Sequence, residues 1–151
     1  MIRLADAAID PGALLAEFCA GRTDAGAVVS FTGLTRGRTD GAAVTRLTLD
    51  AYPGFTEAVM AEIEAEARAR FAVEDVLAVH RWGSLDIGEP IIFVAAAAEH
   101  RRAAFEAVDY LMDQFKTRAP FWKREDGPDG ARWIEARPDD HQAIERWATA
   151  Q

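Results

Sequence analysis

The chain has 151 residues, half of them hydrophobic, and a formal net charge of −8 at pH 7. These values predict a single folded domain over 1–151 with a sizeable core, and they argue against disorder and against general nucleic-acid binding. The single cysteine, Cys19, excludes an internal disulfide and a paired-cysteine redox or zinc site, and we expect it to be a buried small residue of a helix. The longest apolar run, 91–98, is too short to cross a bilayer, and no signal-peptide pattern is found, so we expect a cytoplasmic protein.

Hydrophobic periodicity divides the chain into alternating strands and helices. Apolar residues at every second position predict strands, and apolar residues three or four positions apart predict amphipathic helices. In chain order, the predicted elements are a strand over 2–4, a helix over 11–20, strands over 26–34 and 44–49, a helix over 54–71, strands over 76–82 and 90–98, a helix over 100–117, strands over 121–125 and 131–136, and a helix over 138–148. Hairpins that alternate with helices predict an α+β domain with a mainly antiparallel sheet and packed helices.

Several elements carry more specific predictions. The strands over 26–34 and 44–49 are expected to pair as a hairpin whose long, mobile tip is the basic, glycine-rich loop 35–41. The near-continuous apolar strand 90–98 is expected at the centre of the sheet, with both faces covered. The predicted inward residues of the second and third helices are, respectively, Phe55, Val59, Ile63, Ala67 and Phe71, and Ala104, Val108, Leu111 and Phe115 flanked by Phe105 and Met112.

The helix predicted over 100–117 begins with three basic residues, His100, Arg101 and Arg102. The helix macrodipole disfavours cations at this end. Free backbone N–H groups together with arginines therefore predict a site for a phosphate or a carboxylate. The alternative, that Arg101 and Arg102 point into water, is equally compatible with the sequence.

The stretch 116–125, KTRAPFWKRE, concentrates cations and aromatic rings in an acidic chain. Pro120 ends the preceding helix, so Lys116 is predicted at a helix C-terminus, where cations are favoured. Lys123 is predicted in the following strand, on the same face as Phe121 and Glu125. A lysine surrounded by cations and rings loses its charge more easily, which makes it a candidate base or nucleophile. Two solvated surface lysines are the alternative interpretation.

Other common catalytic patterns do not occur in the sequence. There is no phosphate-binding loop, dinucleotide fingerprint or nucleophile elbow. The three histidines lack metal-ligand spacing, so no metal and no cofactor are predicted, and His80 and His141 are interpreted as surface residues. What remains suits an anionic substrate and an activated amine, and the candidates are Arg36, His100, Arg101, Lys116, Lys123 and Arg137.

Five segments resemble the large, catalytic subunit of molybdopterin synthase, the MoaE family, in the family's order and spacing. They are GAVVSFTGLTRG at 26–37, LDAYPGFTEAVMAEI at 49–63, VHRWGSLDIGE at 79–89, EHRRAAFEAVDYLMDQFKTRAPFWKRE at 99–125 and RWIEAR at 132–137. The resemblance implies an alpha/beta hammerhead-like fold. One departure concerns the loop, where Leu34, Gly37 and Arg38 stand in place of a basic residue and an Asn-His pair common in the family.

The resemblance also implies a reaction and its partners. A homodimer of this chain would join two copies of a small ubiquitin-like sulfur-carrier subunit, as a heterotetramer. The carrier's C-terminal Gly-Gly tail, activated as a thiocarboxylate, would enter a pocket here. Sulfur would pass to cyclic pyranopterin monophosphate, and two transfers would create the dithiolene of molybdopterin.

Residue roles follow from the same resemblance. It implies that Lys116 lies at the carrier's terminal carbonyl and that Lys123 assists as a base or an electrostatic stabiliser. The residues implied to hold or surround the substrate, some of them from the neighbouring subunit, are Arg36, His100, Arg101, Phe31, Met112 and Arg137. Two alternatives remain open: a non-catalytic adaptor dimer that binds a ubiquitin-like tail, and a phosphometabolite enzyme that needs no partner protein.

Overall fold

The structure, a computed structural model, describes residues 1–134 and 138–148, with side chains from 142 onward in the last helix. In chain order its elements are β1 (Ile2–Ala5), α1 (Pro11–Cys19), β2 (Ala27–Leu34), β3 (Arg38–Thr39), β4 (Ala42–Ala43), β5 (Arg46–Asp50), α2 (Phe55–Arg70), β6 (Asp75–Arg81), β7 (Gly83–Asp86), β8 (Pro90–Ala98), α3 (Arg101–Arg118), β9 (Trp122–Gly127), β10 (Gly130–Ile134) and α4 (Pro138–Ala148). The predicted α+β class is confirmed.

The first sheet has the strand order β1-β6-β8-β2, and its pairs are antiparallel except for the parallel pair of β1 and β6. As predicted, β8 lies between two other strands, and the residues 92–98 are buried. Successive side chains of a strand point to opposite faces. One face of β8 therefore packs in a core with α2 and α3, and the other packs in a core with α1.

The second sheet has the order β10-β9-β5-β7 and is entirely antiparallel. Its small core consists of Leu47, Leu49 and Leu85, against which Ile91 of β8 also packs. Since Ile91 also contacts the larger core, the two sheets meet at this point. The division into two sheets was not anticipated from the sequence.

The predicted hairpin of the strands over 26–34 and 44–49 is wrong. In the structure β2 pairs with β8, whereas β5 pairs with β7 and β9 in the other sheet. The segment between β2 and β5 instead contains its own two-stranded ribbon, β3 with β4. Alternation along a strand tells which residues share a face, but it does not tell which strand lies alongside.

Most inward residues of the helices are as predicted, with three exceptions. All four predicted core residues of α3 are buried, but Phe105 beside them is 61% exposed. Phe55 is 62% exposed because it begins α2, and the inward row starts one position later, at Thr56. Cys19, expected to be buried, is exposed at the last position of α1. Among the described residues, no helix has the length and hydrophobicity needed to cross a bilayer.

Candidate functional site

The predicted site residues are distributed along α3 and the elements beside it. Only Glu99 and His100 separate β8 from α3, so the helix reverses direction and packs back against β8 and β2. Because β2 is antiparallel to β8, α3 and β2 run the same way. The helix has 18 residues and is therefore about 27 Å long. We call its start the arginine end and its finish, with the Pro120 bend, the lysine end.

At the lysine end, the side chains of Met112 and Lys116 share one face of α3, because they are four residues apart. Met112 is half-buried against the main core, and Lys116 is exposed one turn later. A bidentate ion pair between Arg118 and Glu66 of α2, with an Nη2–Oε1 distance of 2.9 Å, fixes the last turn of α3. The position of Lys116 is thereby tied to α2.

Lys123 lies on the inner face of the second sheet. In the pairing of β9 with β5 it is opposite Leu49, and Glu125 is opposite Leu47, so all four side chains share the face that forms the small core. This confirms the predicted face of β9. Lys123 is half-buried there, in contrast to the exposed Lys116.

Three contacts hold the bend that separates the two lysines. The N–H of Phe121 donates to the carbonyl of Ala119 at 2.9 Å, and the hydroxyl of the buried Thr56 lies 3.4 Å from the Pro120 carbonyl. The ring of Phe121 stacks on the imidazole of His80, with the centroids 3.9 Å apart and the planes at 18°. These contacts fix the backbone of the bend, from whose two sides the lysine side chains extend.

His80 is not the surface residue that we expected, because it is only 7% exposed. Burial lowers the pKa of His80 to about 4, the bond to the Arg81 carbonyl opposes this, and the nearby Lys123 charge lowers it further. The imidazole is therefore neutral over the physiological pH range. The sequence signal that could have found it is its place in β6, two residues beyond the inward-facing Ala78.

Phe31, in β2, and Arg36, just after β2, also lie towards the lysine end of α3. Phe31, 41% exposed, faces α3, because Val29, two residues before it, packs in the core that contains α3. Arg36 follows β2 and is exposed. Its predecessor Thr35 is buried and bonds the Glu89 carbonyl through both its N–H, at 2.9 Å, and its hydroxyl, at 3.1 Å. The base of the loop is thus anchored although its tip is exposed.

The arginine end is an open depression lined by Gly26, Glu99, His100, Arg101 and Arg102. The side chain of His100 is 82% exposed and lies 3.7 Å from the Glu99 carboxylate. Arg102 bonds Glu106 at 2.8 Å. A side chain at position 26 would place its Cβ 2.3 Å from the Glu99 carbonyl oxygen, so the close approach of β2 to this end requires glycine.

Arg36 and Arg101 differ from most other arginines of the chain. Within residues 1–134 and 138–148, neither has a hydrogen-bond or ion-pair partner, whereas ten arginines form ion pairs with acidic groups. A guanidinium left without a carboxylate is available for an external anion. Both arginines were predicted to hold the substrate, and both have this property.

Within one chain, the structure does not bring all the predicted residues together. Arg101 and Lys116 are 15 residues apart on a single helix, a separation of about 22 Å along its axis. Phe31, Arg36, Met112, Lys116 and Lys123 belong to the lysine end, and His100 and Arg101 to the arginine end. Arg137 lies outside the described residues.

Comparison with known proteins places the chain in a family. The sequence profile of the family described as MoaE protein matches residues 4–118. The chain belongs to this MoaE family. A protein of Caulobacter vibrioides described as molybdopterin synthase catalytic subunit is 52% identical to this MoaE chain over 147 residues, 97% of each. The prediction of an enzyme's catalytic subunit is thereby confirmed.

Solved structures agree with the fold of this MoaE chain. The molybdopterin biosynthesis MoaE protein of Burkholderia ambifaria matches with a TM-score of 0.83 and 39% identity, over 99% of both chains. A complex of subunits 1 and 2 of molybdopterin-converting factor from Helicobacter pylori matches with a TM-score of 0.74 over 90% of this chain and 91% of that chain. At 22% identity, this second likeness is one of fold.

One signal in the MoaE chain escaped the sequence analysis. The 151 residues contain fifteen arginines but only two lysines, Lys116 and Lys123. Ten arginines form ion pairs with acidic groups within the part of the chain that the structure describes, a role that suits a planar, permanently charged group. These two lysines lie on opposite sides of the Pro120 bend. Among the described residues, no group of three or more histidine, cysteine or acidic side chains could hold a metal ion.

Proposed function

We propose that this MoaE family member is the catalytic subunit of a molybdopterin synthase, which transfers sulfur from the thiocarboxylate of a small ubiquitin-like carrier to cyclic pyranopterin monophosphate. The observation that carries this proposal is the placement of the chain's only two lysines on either side of the Pro120 bend. Both lysines lie in the stretch 116–125, whereas the other fifteen Lys or Arg positions of the chain are arginines.

The two lysines have different roles in this proposal. Lys116, exposed on α3, lies at the terminal carbonyl of the carrier, where its ammonium stabilises the negative charge that develops on the oxygen. Lys123, half-buried on the inner face of β9, acts as a base or as a second electrostatic stabiliser. Met112 and Phe31 line the space beside Lys116 with apolar surface.

The substrate phosphate is held by Arg36, His100 and Arg101, with Arg137 as a further contact. Two of these arginines have no anionic partner within the described residues, and a phosphate supplies one. About 22 Å of helix separates Arg101 from Lys116 in one chain, which supports a pocket whose arginine end comes from a second copy. The proposed active unit is therefore a homodimer in which each pocket combines the lysine end of one copy with the arginine end of the other.

The proposed partner is a carrier protein whose C-terminal Gly-Gly tail reaches the lysine end. The Helicobacter pylori structure of the same fold is a complex of two different subunits, which supports such a partner by analogy. Two carriers on one homodimer make a heterotetramer. The cytoplasmic location stays a prediction.

The proposal is tested with Lys116→Ala and a thiocarboxylated carrier. We expect the formation of the dithiolene to fall by about a thousandfold or more, since a group that stabilises the transition state is lost. Carrier binding, measured by titration calorimetry, should change less than about twofold, because a single exposed charge contributes little to an interface. Arg102→Ala, which removes a cation already paired with Glu106, is the control and should leave both quantities unchanged.

The outcomes separate the alternatives. Turnover that survives Lys116→Ala contradicts the catalytic assignment and leaves the adaptor interpretation. Turnover of a phosphorylated substrate by the purified chain without any carrier would instead support the phosphometabolite enzyme.

A further inference from the structure

The proposed reaction leaves one buried titratable side chain of the lysine end without a role. His80 continues the inward face of β6, after Val76 and Ala78, which are fully buried in the main core. The residues that precede His80 on this face of β6, Val76 and Ala78, are both apolar. A polar ring in such a position requires a reason, because a leucine or phenylalanine would pack there without the cost of burying a polar group.

The orientation of the His80 ring is fixed. Its Nδ1 atom lies 2.7 Å from the carbonyl oxygen of Arg81, and a carbonyl oxygen only accepts. Nδ1 therefore carries the proton of the neutral imidazole and donates it to Arg81. This bond ties the plane of the ring to the backbone of β6.

The fixed ring in turn fixes a neighbour from another element. Phe121 lies nearly parallel to the imidazole, with the ring centroids 3.9 Å apart. Phe121 is the last residue before β9, and Lys123 is two positions further on the same face. The Lys123 ammonium is close enough to the imidazole to contribute to the low pKa of His80. The β6 backbone thus holds the His80 ring, the His80 ring stacks on Phe121, and Phe121 is joined to Lys123 through two residues of backbone.

We propose that His80 is a positioning residue for Lys123, whose oriented imidazole stacks on Phe121 and so sets where β9 begins and where the lysine points. The inference rests on the proposed catalytic role of Lys123. The planar ring stacks on Phe121, and its hydrogen bond to the Arg81 carbonyl adds a fixed rotation. A branched aliphatic side chain fills the same space and does neither.

The test compares His80→Phe with His80→Leu in the assembled complex with thiocarboxylated carrier. His80→Phe keeps the planar face for Phe121 and loses only the hydrogen bond that sets the rotation of the ring, so it should retain turnover within about threefold of the unmodified protein. His80→Leu keeps apolar volume but no planar face, and kcat should fall by about tenfold or more, because small displacements of a catalytic group cost this much. The KM for the pterin substrate should be unchanged in both. Equal kcat values for the two variants overturn the proposal, since packing volume alone would then explain the residue.

A second measurement reads the position of Lys123 without any turnover. Protein labelled with ¹³C only in lysine gives two side-chain signals, since the chain has two lysines. In His80→Leu the Lys123 signal should shift and broaden while that of Lys116 stays in place, and in His80→Phe both should stay near their original positions. A Lys123 signal that does not respond to His80→Leu refutes the positioning role.

Two further variants keep the test decisive. If His80→Leu does not fold, the same comparison is made from the other side of the stack, with Phe121→Tyr expected to behave as the unmodified protein and Phe121→Leu as defective. Lys123→Ala is measured in the same assay. If Lys123→Ala retains full turnover, the proposed function of that lysine fails, while the lysine signals still decide whether His80 positions it.

Discussion

The two ends of α3 are built on different physical principles. The lysine end is anchored: the Arg118–Glu66 ion pair, the contacts of the Pro120 bend and the stack of Phe121 on His80 all tie it to α2 and β6. The arginine end is open, with exposed basic side chains around a depression and no acidic residue in the first turn of the helix. In the proposed function, the anchored end would hold groups in place for chemistry, whereas the open end would offer charge to an anion.

The two histidines beside these ends show the same contrast. His80 is buried, neutral and fixed by a hydrogen bond, whereas His100 is exposed beside Glu99. An imidazole in a core acts through its shape and its ring orientation. The exposed imidazole of His100 would, in the proposed function, act through the hydrogen bonds that it offers to a ligand.

The largest expected effect tests whether the two ends meet across a dimer. At a pterin concentration below the KM of the unmodified protein, Lys116→Ala and Arg101→Ala should each be strongly defective alone. When the two proteins are unfolded, mixed and refolded, half of the dimers are mixed, and each mixed dimer has one pocket with both residues intact. We therefore expect turnover to recover to about one quarter of that of the unmodified protein, because random pairing is statistical. Failure to recover, with mixed dimers confirmed by mass spectrometry, contradicts a shared pocket.

The next effect separates a ligand-binding arginine from a paired one. Arg101→Ala should raise the KM for the pterin substrate by about 10-fold to 100-fold, because a charge-assisted hydrogen bond to phosphate is lost. Arg102→Ala is the matched control on the same helical turn and should change KM less than about twofold. Steady-state kinetics at saturating carrier measures both. Equal effects of the two substitutions would mean that the arginine end acts only as diffuse positive charge.

The smallest effect concerns pH and the buried histidine. Because the folded-state pKa of His80 is about 4, below its ordinary value of 6.5, the folded protein binds fewer protons than the unfolded chain between these values. The stability that depends on a neutral, buried His80 is therefore complete above pH 6.5 and is lost as the pH falls towards 4. Between pH 6.5 and pH 5 the free energy of unfolding should drop by about 2 kcal/mol. Thermal melts followed by circular dichroism measure this loss.

His80→Phe provides the control for this pH dependence, since it keeps the stack and removes the titrating group. The same melts should then be flat between pH 6.5 and pH 5. Asp75 does not obscure this window: burial raises the pKa of Asp75, but hydrogen bonds from Arg22 and Arg68 outweigh this and lower it to about 2, so its contribution is lost only below its ordinary value of 3.8. A variant as pH-sensitive as the unmodified protein would assign the effect to another group.

Local predictions from the sequence succeeded where a short stretch of chain contains its own signal. The helix predicted over 11–20 is present as α1, and Asp10 caps its start by accepting from the N–H groups of Gly12 and Ala13. Pro120 was expected to end α3, and the helix stops at Arg118. The centre of the first sheet was recognised because β8 is apolar on both faces. Predictions about burial at the ends of elements were weaker, as Phe55 and Cys19 illustrate.

The sequence by itself determined the four helices, most of the strands and the face that Lys123 shares with Glu125. It also singled out the two lysines and the basic helix start as candidate site residues. These follow from the periodicity, proline and charge of neighbouring residues. Only the tertiary structure decided that β2 pairs with β8, that His80 is buried under Phe121, and that Arg101 and Lys116 lie at opposite ends of one helix. The physical reason is that strand partners and burial depend on which distant apolar surfaces cover each other, and no local pattern records that choice.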